Sequence, residues 1–371
     1  MIRELAAAKE YEKIHKIIQQ LCNDFAYAVH QPHARNGGLI GLAAAAIALG
    51  PVSGHQADAL NAAHHTTQDL ARYLAEIVPP VLACFTDQDA RVRYYACESM
   101  YNIAKVAKGE VLPYFNDIFD ALCKVSEHGS NYSNGGTDLE KLGADSELSV
   151  KNGAELLDRL VKDIVAESAA TYISILHTVD DGTVTEEDKE TAEKSEDMPM
   201  AFSLSRFIPL LKERIFVLNP FTRTFLVGWI TLLDSIPDLE LVSYLPEFLG
   251  GLFKFLSDPN KDVHVATYGA LERFLSEIKR ISRIKKGIQE SRRSRSRSDG
   301  GKRKRSDSTD SESENEERQN GDEYDADSLT ANDEKGASSD DDWIPGQDVV
   351  INFKEILEIL TQNLDSQLGK S

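Results

Sequence analysis

The chain has 371 residues, of which 41% are hydrophobic and 27% are charged, as in ordinary chains that bury a core. It carries 41 Lys and Arg residues against 61 Asp and Glu residues, a formal net charge of −20. This charge excludes a general binder of polyanions, although it still allows a local basic patch.

The four cysteines lie on or beside helical patterns without C-x-x-C spacing, which predicts buried free thiols in a reducing compartment. Glu4, Glu10 and Glu12 interrupt the amino terminus, so no secretory signal is recognised there. The longest apolar run, residues 38–52, is too short to span a bilayer. Any membrane association is therefore expected to come through partners or surface contacts.

In chain order, residues 14–25 carry the apolar stripe of an opening helix, and residues 30–38 are predicted to form a turn. Residues 39–49 follow as an almost wholly apolar helix, a pattern typical of a helix buried on all sides. The next stripe, residues 70–82, contains the adjacent prolines Pro79-Pro80. These prolines are predicted to kink or restart the helix.

A turn pattern occurs twice, in residues 85–93 and 256–264, and the two copies align without a gap. Each copy runs from an apolar residue through a hydroxyl residue and an Asp to Val and a basic or imidazole residue. We expect Asp87 and Asp258 to accept hydrogen bonds from free backbone N–H groups, and Arg93 to face the neighbouring turn. This repetition predicts one structural unit at distant points of the chain.

Two such units are predicted between Phe207 and Ile278, each with two apolar stripes around a short polar break. Pro209 and Pro246, 37 residues apart, are predicted to open the first helix of each unit. The first helices are assigned the stripes Ile208, Leu211, Ile215 and Leu218, and Leu245, Leu249, Leu252, Phe253 and Leu256. The pattern predicts an all-α fold, an α-solenoid of HEAT- or armadillo-like antiparallel helix pairs with a long disordered insertion.

This organisation divides the chain into five segments. Residues 129–147, within the first segment, are predicted to form a loop because they are rich in Gly, Ser, Asn and Asp. The segments are amino-terminal repeats (1–178), an acidic insertion (179–200), further repeats (201–284), a disordered segment that is Arg/Ser-rich and then acidic (285–346), and a partial, truncated repeat (347–371).

No catalytic, cofactor-binding or metal-binding residue is predicted. His55, His64 and His65 have no Cys or acidic partner at ligand spacing, and adjacent helical histidines point in different directions. Gly37-Gly38 with Gly41 follows no strand and precedes no Lys-Ser/Thr, so close helix packing or a turn is favoured over a phosphate loop.

Several strings, in this order, resemble one family: NGGLIGLAA (36–44), VRYYACE (92–98), LLDRLVKDIV (156–165), LKERI (211–215), GWI (228–230) and LPEFLGGLF (245–253). The family is the HEAT-repeat vacuolar-morphology scaffold that organises the phosphatidylinositol 3-phosphate 5-kinase complex. The resemblance covers residues 1–281 and resumes near residue 349.

The resemblance implies a non-catalytic organiser of a PIKfyve-type lipid kinase and a Sac-type phosphoinositide phosphatase. Such an organiser would control synthesis and turnover of phosphatidylinositol 3,5-bisphosphate, bound peripherally on the cytoplasmic face of vacuolar or endosomal membranes. In that family the amino-terminal repeats are associated with kinase contact and the carboxy-terminal repeats with self-assembly and phosphatase contact. The carboxy-terminal half is expected to be absent here, which puts the phosphatase contact in doubt.

We predict Arg93, Tyr94, Arg214 and Arg223 as exposed partner contacts, against the alternative of inter-repeat ion pairs or ring packing. A rival hypothesis is a helical-repeat adaptor for nuclear transport or RNA processing that uses the Arg/Ser arm. No nucleic-acid partner is expected, because the folded parts offer no basic, aromatic platform for stacking bases. A lipid kinase or phosphatase is a third, weaker alternative.

Overall fold

The computed structural model describes residues 1–50, 59–128, 138–179, 202–236, 239–299 and 349–368. Every regular element within these ranges is a helix, and the predicted all-α repeat of helix pairs is confirmed. The α-helices are α1 (Ile2–Ala7), α2 (Tyr11–Gln20), α3 (Pro32–Leu49), α4 (Ala59–Ala83), α5 (Ala90–Ala107), α6 (Phe115–His128), α7 (Asp138–Val179), α8 (Leu204–Arg214), α9 (Pro220–Asp234), α10 (Leu245–Leu256), α11 (Lys261–Asp299) and α12 (Phe353–Leu368). A π-helical turn spans Leu21–Ala26, and short 3₁₀ helices span Cys84–Thr86, Lys108–Tyr114 and Leu241–Tyr244.

The chain divides into two compact units. The first contains Met1–Leu275 and Val350–Ser371, and the second contains Ser276–Val349. In the second unit, the Lys285 ammonium donates a hydrogen bond to the Val349 carbonyl oxygen at 2.5 Å.

In the first unit the helices follow one another as pairs, from α2 with α3 to α10 with the start of α11. The second helices pack closely side by side, with α5 between α3 and α7. α12 packs against α10, where the Ile359 side chain approaches Gly250. One pair cannot bury both of its faces, so each pair depends on its neighbours for a core.

The repeated turn forms as predicted. The Asp87 carboxylate accepts a hydrogen bond from the Asp89 N–H at 2.9 Å, and the Asp258 carboxylate accepts one from the Asn260 N–H at 2.7 Å. Asp89 in turn caps α5 by accepting from the Arg91 N–H at 2.8 Å.

The predicted turn over residues 30–38 is wrong, because α3 already begins at Pro32 and contains both adjacent glycines. Gly38 lies where a Cβ atom would come within 2.5 Å of the Ala26 backbone nitrogen. Glycine is therefore required at this position because α3 packs closely on the π-helical turn, not because the chain bends there.

The structure corrects the position predicted for Pro209 and confirms the one predicted for Pro246. Pro209 is the sixth residue of α8 rather than its opening residue, whereas Pro246 does lie in the first turn of α10. Pro79-Pro80 does not restart the helix, because α4 continues through both prolines.

Two predicted irregular segments are partly helical. α7 begins at Asp138 inside the predicted loop, and α11 continues to Asp299 inside the segment predicted to be disordered. The rest of both segments, residues 129–137 and 300–346, lies outside the described residues, as does 180–200 of the acidic insertion.

The apolar stripes of α8 and α10 agree only in part with the predicted ones. In α10 the buried residues include Phe248 and Phe255, while Phe253 and Leu256 are only half-buried. In the stripe assigned to α8, Leu218 lies beyond the end of the helix and is exposed.

Aromatic rings join the third and fourth pairs. Phe119 of α6 lies edge-on to Phe207 of α8 at 4.8 Å between ring centroids, and Phe115 lies edge-on to Trp229 of α9 at 5.2 Å. The fully buried Trp229 indole N–H donates to an Asp158 carboxylate oxygen of α7 at 2.7 Å. The other oxygen of that carboxylate accepts from the Lys162 ammonium at 2.6 Å.

Burial raises the pKa of Asp158, against the lowering effect of Lys162 and of the hydrogen bonds from Lys162 and Trp229. Asp158→Ala should lower the free energy of unfolding by about 2–4 kcal/mol, because it leaves a buried indole N–H and an ammonium without their acceptor. Asp158→Asn keeps an oxygen acceptor for the indole and should cost less than Asp158→Ala. Urea unfolding of both variants checks this, and equal midpoints for the two would contradict the role given to the indole bond.

Candidate partner-binding surface

Arg93 of α5 is buried, with 5% of its surface exposed, so the prediction that it is exposed is wrong. Its guanidinium donates to the carbonyl oxygens of Asp87 and Gln88, and it forms an ion pair with Glu147 of α7. It therefore faces its own turn rather than the neighbouring one, and it links that turn to the next helix pair.

Two other arginines make the same arrangement. Arg35 of α3 donates to the carbonyl oxygens of Ala28 and Val29 before its helix and pairs with Asp87, with Nε 2.7 Å from a carboxylate oxygen. Arg223 of α9 donates to the Val217 carbonyl oxygen at 2.9 Å and pairs with Asp258.

We call Arg35–Asp87, Arg93–Glu147 and Arg223–Asp258 the arginine ladder. Each rung joins the start of one second helix to an acid of the next pair, and each partner side chain is at least four-fifths buried. Sequence reasoning missed Arg35, although its position soon after a turn matches that of Arg93. The ladder links successive pairs, and removing one partner of a rung would leave a largely buried charge uncompensated.

Arg214 and Tyr94 are half-buried. Arg214, at the end of α8, pairs with Asp120 of α6, which also lies 2.6 Å from the Lys124 ammonium. The Tyr94 ring lies edge-on to the Tyr95 ring at 5.3 Å between centroids. The charge of Glu98 and a hydrogen bond to it raise the pKa of Tyr94, with burial adding to the shift.

The three predicted arginines are thus engaged in ion pairs within the fold, which is the alternative that the sequence left open. A partner role for Arg93, Tyr94, Arg214 and Arg223 stays a prediction. For the arginines, such a role would require a partner to compete with an existing carboxylate.

The four cysteines are free and buried, as predicted. Burial and the nearby Glu76 charge raise the pKa of Cys22 to about 11. Burial likewise raises the pKa of Cys84 to about 11 and of Cys97 to about 12, each partly offset by an arginine. These thiols stay protonated at neutral pH and are poor nucleophiles there.

Within the described residues, no group of His, Cys, Asp and Glu side chains is arranged to hold a metal ion. The side chains of His55, His64 and His65 lie outside that part of the chain. None of the described helices is both long and apolar enough to cross a membrane.

Comparison with known proteins decides the family. A family profile described as the vacuolar 14 Fab1-binding region matches residues 33–140. The vacuole morphology and inheritance protein 14 of Saccharomyces cerevisiae is 48% identical over 302 residues, which cover 80% of this chain and 31% of that protein. The chain belongs to the Vac14 family.

Two further members of the Vac14 family match over similar lengths. The VAC14 homolog of Schizosaccharomyces pombe is 49% identical over 282 residues, covering 74% of this chain and 31% of the homolog. The VAC14 homolog of Arabidopsis thaliana is 42% identical over 279 residues, covering 75% of this chain and 29% of that homolog. The chain thus spans about a third of the length of these relatives, and no solved structure matches it.

Of the matched residues 33–140, the structure describes α3 to α6 and the first residues of α7. The outward face of α3 is apolar: Ile40 and Ile47 are 51% and 40% exposed and lie seven residues apart, about two helical turns. The neighbouring α5 presents a polar row instead, with Arg91, Glu98 and Lys105 exposed at the same spacing. The two helices are in direct contact, since the Ser99 hydroxyl donates to the Leu39 carbonyl oxygen at 3.0 Å.

Proposed function

We propose that the chain is a non-catalytic scaffold that binds and regulates a PIKfyve-type phosphatidylinositol 3-phosphate 5-kinase. The observation that carries the proposal is the match of residues 33–140 to a Fab1-binding region. The names of the relatives support a location at the vacuole, and peripheral attachment through the complex on the cytoplasmic face of vacuolar and endosomal membranes belongs to the proposal.

The kinase contact is assigned to the outward faces of α3 and α5. Stable protein interfaces commonly have an apolar centre and a polar rim. Ile40 and Ile47 supply such a centre, and the polar row of α5 lies on the adjoining helix. These side chains are accessible without breaking the arginine ladder, unlike Arg93.

The scaffold would act by proximity. A stack of helix pairs provides a long surface on which two enzymes gain a high mutual effective concentration. We propose that the second enzyme is a Sac-type phosphoinositide phosphatase, held by the carboxy-terminal repeats of the family rather than by residues 33–140, so that synthesis and turnover of phosphatidylinositol 3,5-bisphosphate are coupled. Catalysis would then reside in the partners.

Capture of the kinase tests this assignment. Ile40→Asp should reduce the amount of kinase retained by the immobilised chain by about tenfold or more, because a charge replaces an apolar side chain at the centre of the contact. Leu357→Asp on α12 is the matched control, since Leu357 is 61% exposed and lies outside the Fab1-binding region.

Circular dichroism should show that both variants keep the helical content of the unmodified chain. If Ile40→Asp and Leu357→Asp retain equal amounts of kinase, the surface assignment is wrong. If the unmodified chain retains no kinase, the proposed function itself fails.

A further inference from the structure

The turn between α8 and α9, together with the first residues of α9, exposes three large apolar side chains. Leu218 is 84% exposed, more than any other large hydrophobic residue in the described ranges, and Phe216 and Phe221 are each 52% exposed. The sequence pattern placed Leu218 in a buried stripe, so this exposure is a product of the fold. The proposed kinase contact leaves these side chains unused.

The backbone of this turn is held by internal hydrogen bonds. The Val217 N–H donates to the Arg214 carbonyl oxygen at 3.2 Å, and the Val217 carbonyl oxygen accepts from the Arg223 guanidinium at 2.9 Å. The Asn219 side chain accepts from the Phe221 N–H at 2.8 Å. Because these polar groups are already paired, they would not be left unsatisfied in an apolar medium.

Two lysines from neighbouring helices flank the apolar tip. The Lys254 ammonium of α10 lies 4.4 Å from the centre of the Phe216 ring, and the Lys151 ammonium of α7 lies 5.1 Å from the centre of the Phe221 ring. Lys151 also lies 3.9 Å from Glu155 of its own helix. The nearby acid Asp258 is neutralised by its ion pair with Arg223.

We propose that this turn inserts Phe216, Leu218 and Phe221 into the interfacial layer of an anionic phospholipid bilayer, with Lys151 and Lys254 contacting lipid phosphates. Apolar side chains that protrude beside cations match the layered order of a membrane surface, where acyl chains lie beneath phosphates. A fluid bilayer also accepts a protruding tip without a preformed pocket. The net charge of the whole chain is −20, so only the local lysines attract the lipid phosphates, and this attraction should weaken as salt is added.

Sedimentation with vesicles tests the proposal on the full chain without any kinase. The chain should bind vesicles of phosphatidylcholine with phosphatidylserine, and bind phosphatidylcholine alone much less. Leu218→Asp should weaken binding to the mixed vesicles by about tenfold or more, because the side chain can no longer enter the acyl layer. Leu357→Asp, the same change at an exposed site away from the turn, should bind like the unmodified chain.

A fluorescence measurement reports insertion directly. Leu218→Cys can be labelled selectively with an environment-sensitive fluorophore, because all four native thiols are buried. Its emission should shift to the blue and rise severalfold with the mixed vesicles, while the same label on Leu357→Cys should change little.

Three results would overturn the proposal. One is no vesicle binding by the unmodified chain. Another is equal vesicle binding by Leu218→Asp and the unmodified chain with unchanged kinase capture, which would assign the lipid contact to another basic segment. The third is equal vesicle binding with reduced kinase capture, which would make the turn a protein contact. Since Ile40→Asp tests kinase capture and Leu218→Asp tests lipid binding, either proposal can fail without the other.

Discussion

Gly38→Ala is expected to lower the free energy of unfolding by about 3 kcal/mol, whereas Gly37→Ala should leave it unchanged or raise it by about 0.5 kcal/mol. Both glycines lie in α3, so the intrinsic gain in helix propensity is the same for each. The contacts differ: a Cβ at Gly38 would lie 2.5 Å from the Ala26 nitrogen and 2.9 Å from its Cα, while a Cβ at Gly37 meets nothing within 4 Å.

The clash at Gly38 is with backbone atoms, so a change of rotamer cannot relieve it. The π-helical turn or α3 itself must move, which loosens the first helix pair. Chemical unfolding of the two variants followed by circular dichroism measures the difference. Equal unfolding midpoints would show that α3 and the π-helical turn can move apart at little cost in the free energy of unfolding.

Arg93→Ala should lower the free energy of unfolding by about 3–5 kcal/mol, because it leaves the Glu147 carboxylate largely buried without its counter-charge. It also removes the donor to the carbonyl oxygens of Asp87 and Gln88. Arg91→Ala is the matched control: Arg91 is exposed in the same helical turn, and its loss should change stability by no more than about 0.5 kcal/mol.

An exposed partner contact, which the sequence suggested for Arg93, would instead lose kinase capture on substitution without losing stability. With the ladder in place, loss of kinase capture by an Arg93 variant should accompany loss of stability. A stable Arg93→Ala chain that fails to capture the kinase would instead make Arg93 a direct contact.

Local patterns predicted the elements that depend on local physics. The repeated turn predicted that Asp87 and Asp258 accept hydrogen bonds from free backbone N–H groups, and both carboxylates do so. Helical periodicity and the pairing of side chains with nearby N–H groups are set by neighbours in the chain.

Contacts between distant residues were not predictable in the same way. The sequence suggested that Arg93 faces the neighbouring turn, but its guanidinium binds carbonyl oxygens of its own turn, and its partner Glu147 is 54 residues away. Gly37-Gly38 suggested either a turn or close helix packing, and only the structure shows that Gly38 packs against the π-helical turn. Helical spacing placed Leu218 in the α8 stripe, but the helix ends at Arg214 and leaves Leu218 outside it.

By itself, then, the sequence determined a stack of helix pairs and, through matching strings, the family, because periodicity and capping are written in consecutive residues. The tertiary structure alone decided which arginines are enclosed in ion pairs and which apolar side chains remain at the surface. Those outcomes depend on how one helix pair packs against the next. Residues far apart in the sequence determine which side chains are buried and which charges form ion pairs at these contacts.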